Sequence, residues 1–405
     1  MKEILNLIYS VFCLLASVFI KRDPHKIAVG SWSGKLFIDN SRYLAQYIKS
    51  HYNGYTIYWV GEEEVRDEAV SRGFEFLRKD SFNSCLKLLK CKYFFFTQMA
   101  PADISEVNVY KNAVTCYLHH GMPIKRWGDD AIRTGLGKKK QKLYKKIYCI
   151  ITGNSMPYDY FATSSALHDK SNLTSLKHRG CTNDKNLKCG TPRNDFLINL
   201  TSEETEYYKD KILRELNLEN KRVFLYLPTF RRKSTDIFSF SNLTEEQSDR
   251  LNEVLNRYQA VIVEKSHFAE TNLKRKKNEN RNVMILGAKT NVQELYIASD
   301  SLISDYSGAY LDYLFLNKPI IHFAYDYEYY KNVDSGLYYD IEDFSAGQVA
   351  DTFNDLLKEI ENICNNIDLF ERKREYVKNK YMTYEDGNAS KHIFEKVVLA
   401  NENNR

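Results

Sequence analysis

The chain has 405 residues, 43% of them apolar and 27% charged, with a net charge of +5 at pH 7. That length suggests two or three domains, and this composition excludes a disordered chain. The charge is too mild to imply nucleic acid, and the eight scattered cysteines form no CxxC pair and no zinc-spaced cluster, which favours a reducing compartment.

The first element is apolar. Ile4 to Ile20 carries only Asn6, Tyr9, Ser10 and Ser17 as polar residues, and Lys21-Arg22-Asp23-Pro24 follows at once. Seventeen residues is the short limit for a membrane span, and no small-residue cleavage site follows. A short span, an uncleaved signal-like segment, a helix lying in the interface and a helix docked on the protein body all stay open. Residues 1–24 are expected to associate with a membrane, with the flanking positive charges keeping the following chain cytoplasmic.

After Pro24 strands and helices alternate. Lys26 to Val29, Thr56 to Val60, Phe74 to Leu77, Tyr93 to Thr97, Val114 to Leu118 and Tyr148 to Thr152 read as strands. Asn40 to Ser50, Phe82 to Lys90 and Met156 to Ala162 read as helices between them. From Arg133 to Lys146 there are seven basic residues and no acid, a run that an anionic membrane surface would attract. The rhythm breaks near Gly190 to Asn220, where a polar helix, Ser202 to Leu216, intervenes. It then restarts, with strands at Val223 to Leu227, Ala260 to Glu264, Val283 to Leu286, Leu302 to Ser304 and Ile320 to Phe323. Helices are expected at Thr244 to Tyr258 and Val292 to Ala298, with a helical tail at Ala346 to Ile360, Asp368 to Lys380 and Ala389 to Leu399. This is α/β architecture with two doubly wound domains, residues 25–200 and 201–405, expected to face a cleft beyond the carboxyl ends of their strands.

Polar clusters fall at those strand ends. Ser304-Asp305-Tyr306-Ser307-Gly308 leads from a strand into a helix at Ala309 to Leu316, a place where backbone N–H groups can hold a phosphate and where Asp305 and Ser307 can cap. An ordinary capped turn would look much the same. His119-His120-Gly121-Met122-Pro123 is a stiff loop whose histidine suits a general base, and Arg231 after Val223 to Leu227 could clamp a phosphate. Lys265 and His267 offer a cation and a second imidazole, and Gly190-Thr191-Pro192-Arg193-Asn194-Asp195 marks the domain junction. No P-loop, no GxGxxG after a strand and no spaced DxD is visible, so a transferase that needs no cofactor or metal fits better than a metal-dependent one.

These clusters resemble, in order, the motifs of the CDP-glycerol glycerophosphotransferase family of teichoic-acid and capsule synthesis, from about Lys26 to Lys391. Gly30-Ser31-Trp32-Ser33-Gly34-Lys35-Leu36-Phe37 with Asp39-Asn40-Ser41-Arg42-Tyr43-Leu44 looks like GSWFGxKFxDNxxYL, and His120 to Lys125 is similar to HGTPLK. Gly190 to Asp195 resembles GxPRND, Leu227 to Arg231 resembles xxPTWR, and Lys265 with His267 resembles a KxH pair. Asp305-Tyr306-Ser307-Gly308 with Asp312-Tyr313 is similar to DYSSxxxDY, and Glu385 to Ser390 to DDGxAS. Met122 for Thr, Phe230 for Trp and Gly308 for Ser depart from the pattern.

The resemblance implies a GT-B-like fold of two Rossmann-type domains and a peripheral or monotopic place at the cytoplasmic side of the cell membrane. It also implies a CDP-activated polyol donor, CDP-glycerol or CDP-ribitol, with a lipid-linked or polymer acceptor. Residues 25–200 would serve the acceptor and membrane, and 201–405 the CDP donor. His120 is the implied base. Lys265, His267, Ser307 and Asp312 are the implied donor-site groups, beside Arg231, Asp305 and Gly308 of the candidate phosphate sites. Members that polymerise long chains often carry a large N-terminal extension, so this chain leans towards a primase-like or short-transfer enzyme, or a capsule enzyme. A nucleotide-sugar glycosyltransferase and a non-catalytic polymer-binding protein are the alternatives.

Overall fold

Unbroken apolar runs such as Tyr93-Phe94-Phe95-Phe96 suit strands buried on both faces, which is what a parallel sheet under two helical layers requires. The computed structural model describes residues 2–131, 143–229, 231, 238–265, 280–287 and 289–403. Its described residues form two wholly parallel sheets.

The first sheet contains β1 (Asp23–Gly30), β2 (Thr56–Gly61), β3 (Glu75–Arg78), β4 (Cys91–Phe96), β5 (Val114–Tyr117), β6 (Tyr160–Thr163) and β7 (Asn186–Lys188). Their order is β3-β2-β1-β4-β5-β6-β7, so the direction of winding reverses between β1 and β4. Ligand crevices open at such switch points. Ile27, Val29, Trp59 and Phe95 pack with Leu44, Ala45 and Ile48 of helix α2 (Asp39–His51) and with Ile393 and Val397 near the C-terminus in one core.

The second sheet contains β8 (Arg222–Leu227), β9 (Ala260–Lys265), β10 (Val283–Leu286), β11 (Ser301–Ser304), β12 (Ile320–Phe323) and β13 (Gln348–Ala350). Its order is β10-β9-β8-β11-β12-β13, with the switch between β8 and β11. Phe224, Ile262, Ile303 and Ile321 pack there with Leu251, Leu255, Leu356 and Ile360.

The chain divides into two compact units, residues 1–121, 136–198 and 383–405 against residues 122–135 and 199–382. The last 23 residues therefore join the first unit, not the second as the sequence boundaries had them. Asp195 explains why. Its carboxylate accepts the N–H groups of Ala389 and Ser390 at 2.8 Å each, capping the start of the helix Ala389–Phe394.

Three local expectations fail. Tyr148 to Thr152 was expected as a strand, but it continues the helix Leu143–Ile151, where Leu143, Tyr144, Ile147 and Ile150 recur at helical spacing. Met156 to Ala162 was expected as a helix, but its end enters β6. Ala346 to Ile360 begins with β13, and its helix starts only at Phe353, after the reciprocal cap of Thr352 and Asp355.

Helix α1 (Lys2–Ala16) buries the wrong residues for a docked amphipathic helix. Asn6 donates to Glu106 at 2.9 Å, and the Ser10 hydroxyl accepts the Asn108 N–H at 3.0 Å. Ile4, Leu5, Ile8, Val11, Phe12 and Leu15 face outward, and Phe19 just beyond is 88% exposed. Among the described residues no helix is long and apolar enough to cross a membrane. Arg22 is not a flanking surface charge, because its buried guanidinium donates to the carbonyls of Leu88, Val109 and Lys111.

Candidate active site

The loops after β1, β4 and β5 meet at the switch point of the first sheet, and they carry most of the first-unit motifs. His120 is exposed there, with Nδ1 3.3 Å from the Thr97 carbonyl oxygen and its ring 5.6 Å from that of Trp32, edge to face. Trp32 donates its indole N–H to Asp39 at 2.7 Å. Arg193 donates to the other Asp39 oxygen at 2.7 Å and to the His120 carbonyl at 2.9 Å. Asn40 donates to the carbonyls of Leu118 and His119 and accepts the Arg193 N–H. Asp39 and Arg193 are both almost wholly buried, so their ion pair ties three loops in low dielectric.

The backbone here is strained. Trp32, Ser33, Asp39 and His119 all have positive φ, at 46°, 58°, 69° and 58°. Left-handed non-glycine residues cost energy and persist only where their surroundings hold them. Gly121, at φ 121°, allows close approach of the Arg193 guanidinium, which would lie 2.7 Å from any added Cβ. His119 turns inward as a result of this geometry. Burial holds its imidazole well below the ordinary histidine pKa, and its ring packs 4.5 Å from that of His168. The two adjacent histidines thus have opposite fates, one exposed and one neutral in the core.

The junction motif and the late motif form a clasp within the first unit. Thr191 donates its N–H and hydroxyl to Glu385 at 3.1 and 2.8 Å, while a side chain at Gly190 would meet the same carboxylate. Asp195 supplies the cap already described. This accounts for both motifs by packing, and Arg193 alone among these residues reaches the His120 loop.

In the second unit, Asp305 and Arg231 differ from their expected roles. Arg231 is wholly buried, paired with Asp305 at 2.5 Å and with Asp326 at 2.9 Å, and ringed by Tyr306, Tyr325 and Tyr330 at 5.1–5.5 Å. Asp305 also accepts the N–H of Thr229 at 3.0 Å and its hydroxyl. Burial pushes the Asp305 carboxyl up, but Arg231 and Thr229 outweigh it and hold it below the usual range. Arg231 is therefore spent on carboxylates rather than presented as a phosphate clamp, and Asp305 ties the loops after β8 and β11 rather than capping a helix.

Ser307 and Gly308 are half-buried at the start of the short helix Ala309–Tyr313, where the Ser307 hydroxyl accepts the Ala309 N–H at 3.2 Å. Asp312 is only 1% exposed, inside that helix. Lys265 ends β9 at the carboxyl edge of the sheet, half-buried. His267 lies outside the described residues, as do Phe230 and residues 133–142 of the basic run. Among the described residues no group of three or more His, Cys, Asp or Glu side chains is gathered as a metal site. Asp39, Arg193 and Asp103, buried beside the His120 loop or its neighbours, were not singled out from the sequence. The first two stood inside quoted motifs as charges in the first turns of helices that follow strands, whereas nothing in the sequence around Asp103 marks it.

The chain is similar to known proteins over nearly its whole length. It is 25% identical over 363 residues to the teichoic acid poly(glycerol phosphate) polymerase of Bacillus subtilis, covering 88% of this chain but 46% of that longer protein. It is 26% identical over 404 residues to the teichoic acid glycerol-phosphate transferase of Staphylococcus aureus, covering 97% of each. A solved structure of the wall teichoic acid polymerase TagF superposes with a TM-score of 0.80 at 23% identity, covering 98% of this chain and 94% of that one, so the fold is GT-B-like. The model of the CDP-glycerol:poly(glycerophosphate) glycerophosphotransferase family matches residues 13–399, and the chain belongs to that family of transferases.

Proposed function

We propose that this protein transfers glycerol phosphate, or a related polyol phosphate, from its CDP ester to a teichoic-acid acceptor at a membrane surface. An acceptor hydroxyl attacks the β-phosphorus, the bond to the bridging oxygen breaks, and CMP leaves. His120 takes the acceptor's proton. Such chemistry needs positioning and charge neutralisation more than covalent catalysis. Ser307, Gly308, Lys265, His267 and Asp312 are the proposed donor-site groups, with Asp305 and Arg231 fixing the loop that carries the first two.

The observation that carries this reading is the site around His120. An exposed imidazole sits on a stiffened loop, hydrogen-bonded at Nδ1 and held by a buried Asp39–Arg193 pair. That is how a general base is oriented. The test supplies CDP-glycerol, CDP-ribitol and UDP-sugars in parallel with a lipid-linked acceptor. CMP release with a CDP-polyol supports the reading, UDP release favours a glycosyltransferase, and no turnover with any donor favours an accessory protein.

The membrane part rests on α1. Its polar side is used to dock on the protein body, so its apolar side is left facing outward beside the exposed apolar residues of the neighbouring helix Leu143–Ile151. An apolar patch next to exposed Lys145 and Lys146 suits shallow insertion into an anionic bilayer. The eight free thiols agree with a reducing, cytoplasmic side, and a lipid-linked acceptor would be met at that surface.

A further inference from the structure

Asp103 is a fully buried carboxylate with no part in any motif above. It ends the short helix Ala100–Asp103 after β4. One oxygen accepts the Ser33 N–H at 2.7 Å. The other accepts the N–H groups of Thr97 and Gln98 at 2.9 and 2.7 Å and the Thr97 hydroxyl at 3.2 Å. These partners are all neutral. Burial raises its pKa to about 6 against the pull of these hydrogen bonds, and its oxygens satisfy three backbone N–H groups that would otherwise lack an acceptor.

Two of the residues it holds border the His120 site. The Thr97 carbonyl is the partner of Nδ1, and Ser33 follows Trp32, whose ring lies edge to face with the imidazole. Ser33 and Trp32 are the left-handed pair, so the bond from Ser33 to Asp103 helps keep that strained turn in place. Gly30 leaves the room for this, since a Cβ there would run into the Asp103 carbonyl. A neutral imidazole carries one N–H. With that proton at Nδ1 and given to Thr97, the lone pair is at Nε2.

We propose that Asp103 is a positioning residue of the transfer reaction: by fixing the Thr97 carbonyl it holds His120 in the Nδ1–H tautomer, with Nε2 as the atom that takes the acceptor's proton. The proposal rests on His120 as the base. The arrangement does with a backbone carbonyl, anchored by a distant carboxylate, what a direct Asp–His pair does elsewhere.

Asp103→Asn places an amide N–H against N–H donors and should displace the carbonyl. It is expected to lower kcat about 10–100-fold, the scale for losing a partner that orients a histidine, with KM for CDP-glycerol held within about twofold. The acid limb of kcat/KM should move to lower pH, because an imidazolium that loses an acceptor at Nδ1 is less stable. The ¹⁵N shifts of His120 should show Nε2–H appearing. Thr97→Val, which removes only the hydroxyl bond, should shift limb and tautomer in the same direction by less, and decides the matter if Asp103→Asn does not fold. An unmoved acid limb and unchanged tautomer, with any loss of rate explained by lost folded protein, would overturn the proposal. His120→Ala separates the two ideas: if it keeps its rate the base assignment fails, and if it loses it while the limb stays fixed in the other variants only the role of Asp103 fails.

Discussion

Gly308 packs so closely on the Met122 main-chain carbonyl that a Cβ at position 308 would overlap its oxygen. Both residues depart from the family pattern, in which position 308 is Ser and position 122 is Thr. Gly308 has φ −63°, an ordinary value, so space and not backbone conformation makes glycine necessary here.

Restoring the family's hydroxyl with Gly308→Ser is therefore expected to harm the protein, against the tolerance that a φ argument alone would suggest. The cost should be about 1–3 kcal/mol, the scale of overpacking a filled site. Denaturant melts of the variant check this, and an unchanged midpoint would show that the loop yields freely.

Arg231→Ala leaves Asp305 as a buried charge, and Asp326 as a partly buried one, without their counter-ion. The expected loss is about 3–5 kcal/mol of stability, as for other broken buried pairs. A phosphate clamp would behave oppositely, weakening CDP-glycerol binding while the unfolding midpoint held. Calorimetry with CDP-glycerol beside a chemical melt tells the two apart.

How much of this was legible beforehand differs by residue. The strands and their rhythm followed from unbroken apolar runs, and His120 stood out through its motif, since a histidine pair in a loop is by itself more often a structural hydrogen-bonding group. Arg231 and Asp305 looked identical in sequence to surface ligand groups. Their pairing joins loops 74 residues apart, a contact no local pattern encodes. The helix Leu143–Ile151 was misread because Tyr148 to Thr152 has strand-like composition, and only the spacing of its outward apolar residues reveals a helix. Asp103 had no signal at all, since its partners are backbone N–H groups and one neighbouring hydroxyl.

Acid should weaken the first unit through its histidine pair. Burial lowers the His168 pKa to about 3, below its unfolded value near 6.5, and holds His119 well below the ordinary range. Folded-state pKa values depressed in this way mean that the unfolded chain binds more protons in that window. The stability these groups contribute is thus present above pH 6.5 and lost as pH falls towards 3. Each contributes a slope of about 1.4 kcal/mol per pH unit there. His168→Asn, whose side-chain oxygen can accept the Ser164 N–H in place of Nδ1, should flatten the dependence of the urea midpoint between pH 6.5 and 4. An equally steep dependence in that variant would assign acid lability to other groups.

The outward face of α1 gives a membrane prediction that leaves the fold alone. Ile8 and Leu15 are 56% and 65% exposed, so Ile8→Glu with Leu15→Glu should not shift the melting temperature. Each buried apolar side chain is worth about 1.5–3 kcal/mol, so binding to vesicles containing anionic lipid should fall by more than roughly tenfold. Vesicle co-sedimentation measures it, and undiminished binding would move the membrane surface elsewhere on the protein.

The central claim is that His120 takes a proton during transfer from a CDP-polyol. CMP release from CDP-glycerol, in the presence of a lipid-linked acceptor, should fall roughly 10²–10⁴-fold in His120→Ala while calorimetry shows donor affinity little changed. A His120→Ala protein that is folded, binds donor and releases CMP at the wild-type rate would contradict it.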